Sequence, residues 1–263
     1  MAQTAKATVS SAPSTTLQEL VLVAHLEAPL PLGVLDLADW VSTFSDYPLV
    51  QELSALPRAD LHVFGVVPGI EISPGGVLPR IVLRSTDGRY IAQLQGDRFA
   101  FGWARTEPIG VAAEYPGFEE MTSRWSTMFA RFESWAEKRF RAKPRIRMME
   151  LTYLNAAPLQ EGERKFRISE IFKFVQPTGR PIGTFAVSWT ELVYPNDPSD
   201  QPPRGIVTAN VGLGQAPPGI PVLVFNFSGL AAVAEGKQNE QILKDLHSAI
   251  RVVYLSAIKS NGN

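Results

Sequence analysis

The sequence predicts an α+β fold in which antiparallel sheets are covered by two long amphipathic helices. Residues 80–104 alternate strand-like runs with the turn signals Asp87-Gly88 and Gly96-Asp97, which predicts a three-stranded meander. Residues 118–136 and 242–258 carry apolar side chains at three- and four-residue spacing, which places them on one face of a helix. Because a sheet with one apolar face needs cover, we expect each helix to pack on strands.

The other elements follow from the same patterns. Residues 1–16 are rich in Ala, Ser and Thr and are expected to form a disordered tail. A buried strand over 17–30 precedes a short helix whose apolar stripe runs from Val34 to Phe44. The first long helix is expected to have Pro116 in its first turn and to end near Arg141. Turn residues bound the remaining predicted strands, at 61–67, 145–159, 165–175, 183–194, 205–213 and 220–227.

The pattern divides the chain into two halves, 17–143 and 144–263, each made of several strands followed by one long helix. The halves could be tandem units or could share one continuous sheet. The segments "DYPLVQEL" at 46–53 and "EYPGFEEM" at 114–121 follow the same pattern of acid, Tyr, Pro and apolar residues. An internal pseudo-repeat is one interpretation of this similarity, and chance is the other.

Composition excludes several classes of function. The chain has no cysteine, which rules out disulfides, thiolate catalysis and Cys-ligated metal sites. Its 25 basic and 26 acidic residues nearly cancel, so only local patches could attract charged partners. No apolar run approaches the roughly 18 residues that a membrane-spanning helix requires. We therefore expect a soluble, cytoplasmic protein that does not bind membranes.

Motifs for catalysis and cofactor binding are weak. His25, His62 and His247 are scattered, so no metal site is expected. The Gly-x-Gly in residues 210–219 leads to prolines rather than to a helix, which argues against a dinucleotide site. Ser188 and Ser228 lie outside any G-x-S-x-G elbow. We expect no cofactor, no catalytic residues and, on balance, no enzymatic activity.

Two carboxylates are candidates for a ligand pocket. Strand alternation puts Glu150 and Glu170 on the apolar faces of the predicted strands 145–159 and 165–175. If these strands pair, the carboxylates share a half-buried environment that raises a pKa and suits proton donation. Trp125, Phe129 and Phe132 could line the apolar part of such a pocket. The alternatives are that either strand is covered on both faces, that Arg147 or Arg167 shifts the register and pairs with the carboxylates, and that the aromatic rings are core.

The densest charge in the chain is "KRFRAKPRIR" at 138–147. This run could bind a phosphate backbone or an acidic partner. Alternatively, its cations offset the negative end of the helix dipole and solvate an exposed turn. The basic patch comprises Lys138, Arg139, Arg141, Lys143, Arg145 and Arg147.

Several short motifs, in this order, resemble a sporadically distributed family of uncharacterised bacterial proteins of about this length. They are Tyr47-Pro48 followed by Val50 and Glu52, "DGRYIAQLQGDRFAFGW", "YPGFEEM" and "LTYLN", in which only Tyr153 and Asn155 match the family's strand. The resemblance implies a soluble bacterial protein with a patchy distribution, as seen for accessory and defence genes. It implies no activity and no site residues.

Three hypotheses of function follow. The first is a non-catalytic accessory or regulatory protein that binds another protein, in a bacterial defence or mobile-element context. The second is a helix-grip-like binder of a small apolar ligand. The third, which we consider less favoured, is nucleic-acid binding through residues 138–147. A homo-oligomer remains an open alternative.

Overall fold

One antiparallel sheet of nine strands runs through the part of the chain that the structure, a computed structural model, describes. The described residues are 16–59, 78–109, 111, 113–161, 164–175, 185–193, 203–216, 219–234, 236 and 238–258. The strands are β1 (Thr16–Leu26), β2 (Leu49–Leu53), β3 (Arg80–Arg84), β4 (Tyr90–Gln95), β5 (Arg98–Ala104), β6 (Ile146–Pro158), β7 (Gln160–Glu161), β8 (Arg164–Lys165), β9 (Ala186–Val193), β10 (Gly205–Ala216) and β11 (Ile220–Ala232). The helices are α1 (Val34–Thr43), α2 (Phe118–Phe140), α3 (Ile168–Ile171) and α4 (Asn239–Ala257).

The strand order of the large sheet is β2-β3-β4-β5-β1-β6-β11-β10-β9, and β7 and β8 form a separate ribbon. The central strand β1 pairs with β5 on one side and β6 on the other, so that Val23 lies between Ala100 and Glu150. The two predicted halves therefore share one continuous sheet. The α+β class, the meander and both long helices are confirmed.

The long helices α2 and α4 cover one face of the sheet. In β5, Phe99, Phe101 and Trp103 alternate toward this face, and Phe99 stacks on Phe132 of α2 with ring centroids 4.8 Å apart. At the other end, Phe227 of β11 meets Tyr254 of α4 edge-on at 5.6 Å. One apolar core therefore runs beneath both helices.

The apolar stripe of α2 is buried as its spacing predicts. Its buried side chains are Met121, Thr122, Trp125, Met128, Phe129, Phe132, Trp135 and Ala136. The helix begins after Gly117, whose φ of 94° an L side chain would resist. Pro116 therefore precedes the helix, and its predicted place in the first turn is wrong. None of the described helices is long and apolar enough to cross a membrane.

Three element predictions need correction. Residues 165–175 were expected to form a strand, but they hold the end of β8 and the short helix α3. Here the burial of Ile168, Ile171 and Phe172 fits one helical turn. Strand β2 was not predicted, and Val34 is 72% exposed rather than part of the buried stripe of α1. The predicted strand at 61–67 and nearly all of the predicted tail lie outside the described residues.

The paired Tyr-Pro motifs occupy different places in the fold. Tyr47 lies between α1 and β2, whereas Tyr115 lies between β5 and α2. Their rings also contact different residues, since Tyr47 meets Phe101 and Tyr115 meets Trp103. The motifs are therefore not equivalent positions of a repeat.

Candidate functional site

A groove of about 770 Å³ separates α1 from α2 on the outer side of the helical layer. Small side chains of α2 lie along the groove, and cations lie toward the C-terminal end of α2. The lining residues are Asp39, Thr43, Thr127, Ala130, Arg131, Ser134, Trp135, Lys138, Arg139 and Arg141. We call this feature the basic groove.

Polar contacts fix α1 against α2 along the basic groove. The Trp135 Nε1 donates a hydrogen bond to the Asp39 carboxylate at 2.8 Å. Arg131 makes two hydrogen bonds of 2.9 Å to the Asp46 carboxylate, and its guanidinium lies 4.5 Å from the centre of the Phe44 ring. A bidentate, stacked guanidinium is held in one orientation, so this wall of the groove is preorganised.

The carboxylates of Asp36 and Asp46, which hold two arginines at the groove, remain ionised at neutral pH. The hydrogen bond from Arg131 lowers the pKa of Asp46 below 3.8. For Asp36, the hydrogen bond from the Gly33 backbone and then that from Arg139 lower the pKa in the same direction. Each carboxylate therefore keeps its arginine at the groove across the physiological pH range.

The structure separates the six cations of the basic patch. Lys138, Arg139 and Arg141 line the basic groove. Lys143 forms an ion pair of 3.4 Å with Glu133, and Arg147 donates a hydrogen bond of 2.5 Å to the Ala59 carbonyl. Arg145 is exposed outside the groove.

Sequence reasoning missed the partners that shape the groove. Arg131 and the acids Asp36, Asp39 and Asp46 were not among the candidates. A signal for them exists, because the acids of α1 recur at a three-residue interval and Arg131 and Arg139 lie about two turns apart on α2. Only the packing of α1 on α2 identifies them as partners.

The aromatic candidates for a ligand pocket lie in the packed core. Trp125 stacks on Phe129 at 4.9 Å with ring planes 7° apart, and Phe132 is fully buried against Phe99. These rings fill the space in which a ligand was expected. The structure therefore favours the core interpretation for Trp125, Phe129 and Phe132.

The two carboxylate candidates are not brought together. Glu150 lies on β6, whose neighbours are β1 and β11, and it faces away from the long helices. Glu170 lies on α3, where its Oε2 accepts a hydrogen bond of 2.9 Å from the Arg167 backbone. The prediction that their strands pair is wrong, because Glu170 is not on a strand.

Glu150 forms a polar cluster at the centre of the sheet. Its Oε2 lies 2.8 Å from the His25 Nε2, and its Oε1 accepts hydrogen bonds from Ser228 at 3.0 Å and Thr152 at 3.1 Å. Burial raises the pKa of Glu150, but the hydrogen bonds and the charge of His25 outweigh it and lower the pKa below 4.5. The carboxylate lies between the imidazole and the hydroxyl, whereas a nucleophilic triad needs the imidazole between them. This order favours a structural tie between β1, β6 and β11.

His247 also packs and hydrogen-bonds within the fold. His247 of α4 stacks on Phe118 at 4.2 Å, and its Nδ1 lies 2.7 Å from the Tyr153 hydroxyl. His62 lies outside the described residues. Within the described ranges, no group of three or more His, Asp or Glu residues is placed to hold a metal.

Comparison with known proteins adds no family. No protein-family model matches the chain, and no curated protein matches its sequence. The resemblance to a bacterial family and the cytoplasmic location therefore stay predictions.

The C-cap residue of α2 has a strained backbone, which predicts a stabilising substitution. Arg141 has a φ of 58°, and it is the only non-glycine with a positive φ in the described part of the chain. Replacing Arg141 with glycine is expected to raise the free energy of unfolding by about 0.5 to 1 kcal/mol, because glycine adopts this conformation without strain. Chemical denaturation measures the change. The control is Arg141→Ala, which removes the same charge but keeps the Cβ. An equal gain in the free energy of unfolding of that variant would contradict the explanation by backbone strain.

Proposed function

We propose that this protein is a non-catalytic accessory protein that binds a partner protein by accepting an acidic segment in the basic groove. The observation that supports it is the set of four cations, Arg131, Lys138, Arg139 and Arg141, along one groove. Asp39 is the only acid among the described residues that line it. Because Asp46 and Asp36 pair with Arg131 and Arg139, the positive charge left for a partner comes from Lys138 and Arg141, whereas the chain as a whole has a net charge of −1.

The four cations have different roles. Arg131 and Arg139 are held by Asp46 and Asp36, so they shape the groove. Lys138 and Arg141 are exposed, and neither has an ion pair with a described residue. These two side chains are available to pair with carboxylates of a partner, which would increase both the association rate and the specificity of binding.

The floor of the groove suits a backbone rather than a bulky side chain. Thr127, Ala130 and Ser134 are small, so a partner segment can approach α2 closely. From Thr127 to Arg141, α2 extends roughly 20 Å at ~1.5 Å per residue. An extended segment of about six residues covers that length at ~3.3 Å per residue.

A charge-reversal experiment tests this proposal. The variant Lys138→Glu/Arg141→Glu is compared with Arg145→Glu/Lys165→Glu, which makes the same charge change at exposed positions outside the groove. Binding of a fluorescein-labelled octaglutamate peptide, with octaglutamine as the neutral probe, is followed by anisotropy. We expect the groove variant to weaken octaglutamate binding by about tenfold or more and the control variant by less than twofold, because only the groove positions the charges.

Salt dependence and the native partner complete the test. Binding to the unmodified protein should weaken as salt rises, because the contacting side chains are at the surface. Tagged protein isolated from its own host should retain a stoichiometric partner with an acidic segment, and the groove variant should lose it. Equal octaglutamate binding by both variants, or the absence of any stoichiometric partner, would refute the proposal.

Nucleic-acid binding is a competing outcome of the same experiment. If residues 138–147 contact a phosphate backbone, the variant Arg141→Glu/Arg145→Glu should weaken the binding of a single-stranded oligonucleotide more than the binding of octaglutamate. The contacts of Lys143 with Glu133 and of Arg147 with Ala59 occupy two cations of that run. The acidic segment is therefore favoured.

A further inference from the structure

The face of the sheet opposite α2 and α4 carries two rows of uncharged side chains across its last four strands, beside the Glu150 cluster. Two rows of side chains cross β6, β11, β10 and β9 in matching register: Thr152, Ser228, Thr208 and Thr190, and then Leu154, Asn226, Asn210 and Ser188. An exposed sheet face usually carries charged side chains, which interact favourably with water. The absence of charge from these two rows sets this surface apart from the basic groove.

A cleft of about 510 Å³ opens beside the second row. Aliphatic side chains dominate its lining, including Leu154, Ala186 and Val224. The polar side chains among its described lining residues are Ser188, Asn210 and Asn226, and none is charged. A concave, mainly apolar site with a few convergent polar groups is the usual form of a small-molecule site.

The hydrogen bonds of the cleft are incomplete. Ser188 donates to the Asn210 Oδ1 at 2.7 Å, which leaves the Asn210 amide hydrogens for another acceptor. The Asn226 Oδ1 is buried and has no hydrogen-bond partner among the described residues. A buried polar atom without a partner is unfavourable and calls for an explanation. Rotation of the carboxamide by half a turn exchanges its oxygen and nitrogen, so Asn226 can present an acceptor or a donor to the cleft.

We propose that this cleft binds a small neutral molecule with an aliphatic chain and a carboxamide group. Asn226 and Asn210 lie opposite each other on adjacent strands, so they offer donors and acceptors side by side. A carboxamide complements both, and the aliphatic chain lies against Leu154, Ala186 and Val224, which share this face of the sheet. A charged head group would lose its hydration without finding a counter-charge in the described lining. The site lies across the sheet from the basic groove and is independent of it.

Four matched probes test the chemistry of the ligand. They are octanamide, methyl octanoate, octanoate and octylamine, which share similar chains and differ in the head group. Binding is followed by nuclear magnetic resonance, using the backbone amides of Gly212 and Gly214 and the side-chain amides of Asn210 and Asn226. We expect octanamide to bind about tenfold more tightly than the other three, because it alone pairs with both asparagines without bringing a charge.

Two variants separate the head-group contact from the cleft itself. Asn226→Leu should remove the advantage of octanamide over methyl octanoate and leave methyl octanoate binding within twofold. Gly212→Leu should block all four probes, because its new side chain enters the cleft. A Cβ at Gly212 meets no atom closer than the Phe185 carbonyl at 3.8 Å, so the fold should tolerate this change.

Thr190→Leu, on the same face but outside the cleft lining, serves as the control and should bind the probes normally. Thermal unfolding confirms that each variant is folded. No binding of octanamide up to its solubility limit, or no preference for it over methyl octanoate, would overturn the proposal. The same conclusion would follow if Asn226→Leu kept the preference or if Gly212→Leu still bound the probes.

Discussion

Replacing Phe132 with alanine is expected to lower the free energy of unfolding by about 4 kcal/mol. The ring is fully buried and contacts Phe99 at 4.8 Å, Phe129 at 5.6 Å and Trp135 at 6.2 Å. Its removal leaves a cavity that these rigid rings cannot fill, so the cavity adds to the lost burial. Urea denaturation at neutral pH, with the slope of the transition compared between variants, gives the change.

The control for Phe132 is Phe174→Ala. Phe174 is 47% exposed, although its ring also contacts other aromatic rings, at 5.1 Å to Phe172 and 5.6 Å to Trp189. We expect a cost of about 1 kcal/mol or less there, because a half-exposed side chain loses little burial. Similar costs at the two positions would contradict the packed core beneath α2 and would reopen a ligand cavity among its aromatic rings.

Replacing Glu150 with alanine is expected to cost about 3 kcal/mol at pH 7. The change removes the hydrogen-bond partner of the buried His25 and of the hydroxyls of Thr152 and Ser228, and each buried polar group left without a partner costs about 1 to 3 kcal/mol. We place the effect at the low end of the usual range, because 25% of the Glu150 side chain is exposed. Urea denaturation of both proteins over a pH series measures it.

The pH dependence of this difference has a definite sign. The folded-state pKa of Glu150 is lowered from 4.5, so its ionised form stabilises the fold at pH values above 4.5. This stabilisation is lost as the pH falls through the folded-state pKa, and the gap between the two proteins should narrow there. A gap of the same size at pH 3 and pH 7 would contradict the ionised cluster. Glu170→Ala is the matched control, and we expect about 1 kcal/mol or less, because within the described part of the chain its carboxylate contacts only the short helix α3.

The sequence predicts α2 well because its two faces differ. One face packs on a sheet and the other meets solvent, so apolar residues recur with the period of the helix from Met121 to Ala136. Strand β6 lacks such a contrast, since Met148 and Met149 are only 2% and 0% exposed on opposite faces. Because this part of the strand is buried on both faces, alternation could not show on which side Glu150 lies.

The sequence predicts only part of the basic groove, because its shape depends on contacts between residues far apart in the chain. The density of cations is visible in the sequence, and it led to Lys138, Arg139 and Arg141. That these three cations line the groove, and Lys143, Arg145 and Arg147 do not, depends on the position of α1. Its Asp36 contacts Arg139, which lies 103 positions further along the chain. The cleft beside Asn210 and Asn226 was missed because its side chains come from four strands and form a surface only after those strands are in register.

The central place of β1 constrains the order in which a newly made chain can fold. One edge of β1 can form its hydrogen bonds once β5 has been made. The other edge must wait for β6, since Glu150 lies 125 positions after His25 in the chain. During synthesis, an incomplete product therefore has an apolar strand with an open hydrogen-bonding edge, which invites association with other chains. Closure over so long a loop also slows spontaneous refolding from denaturant.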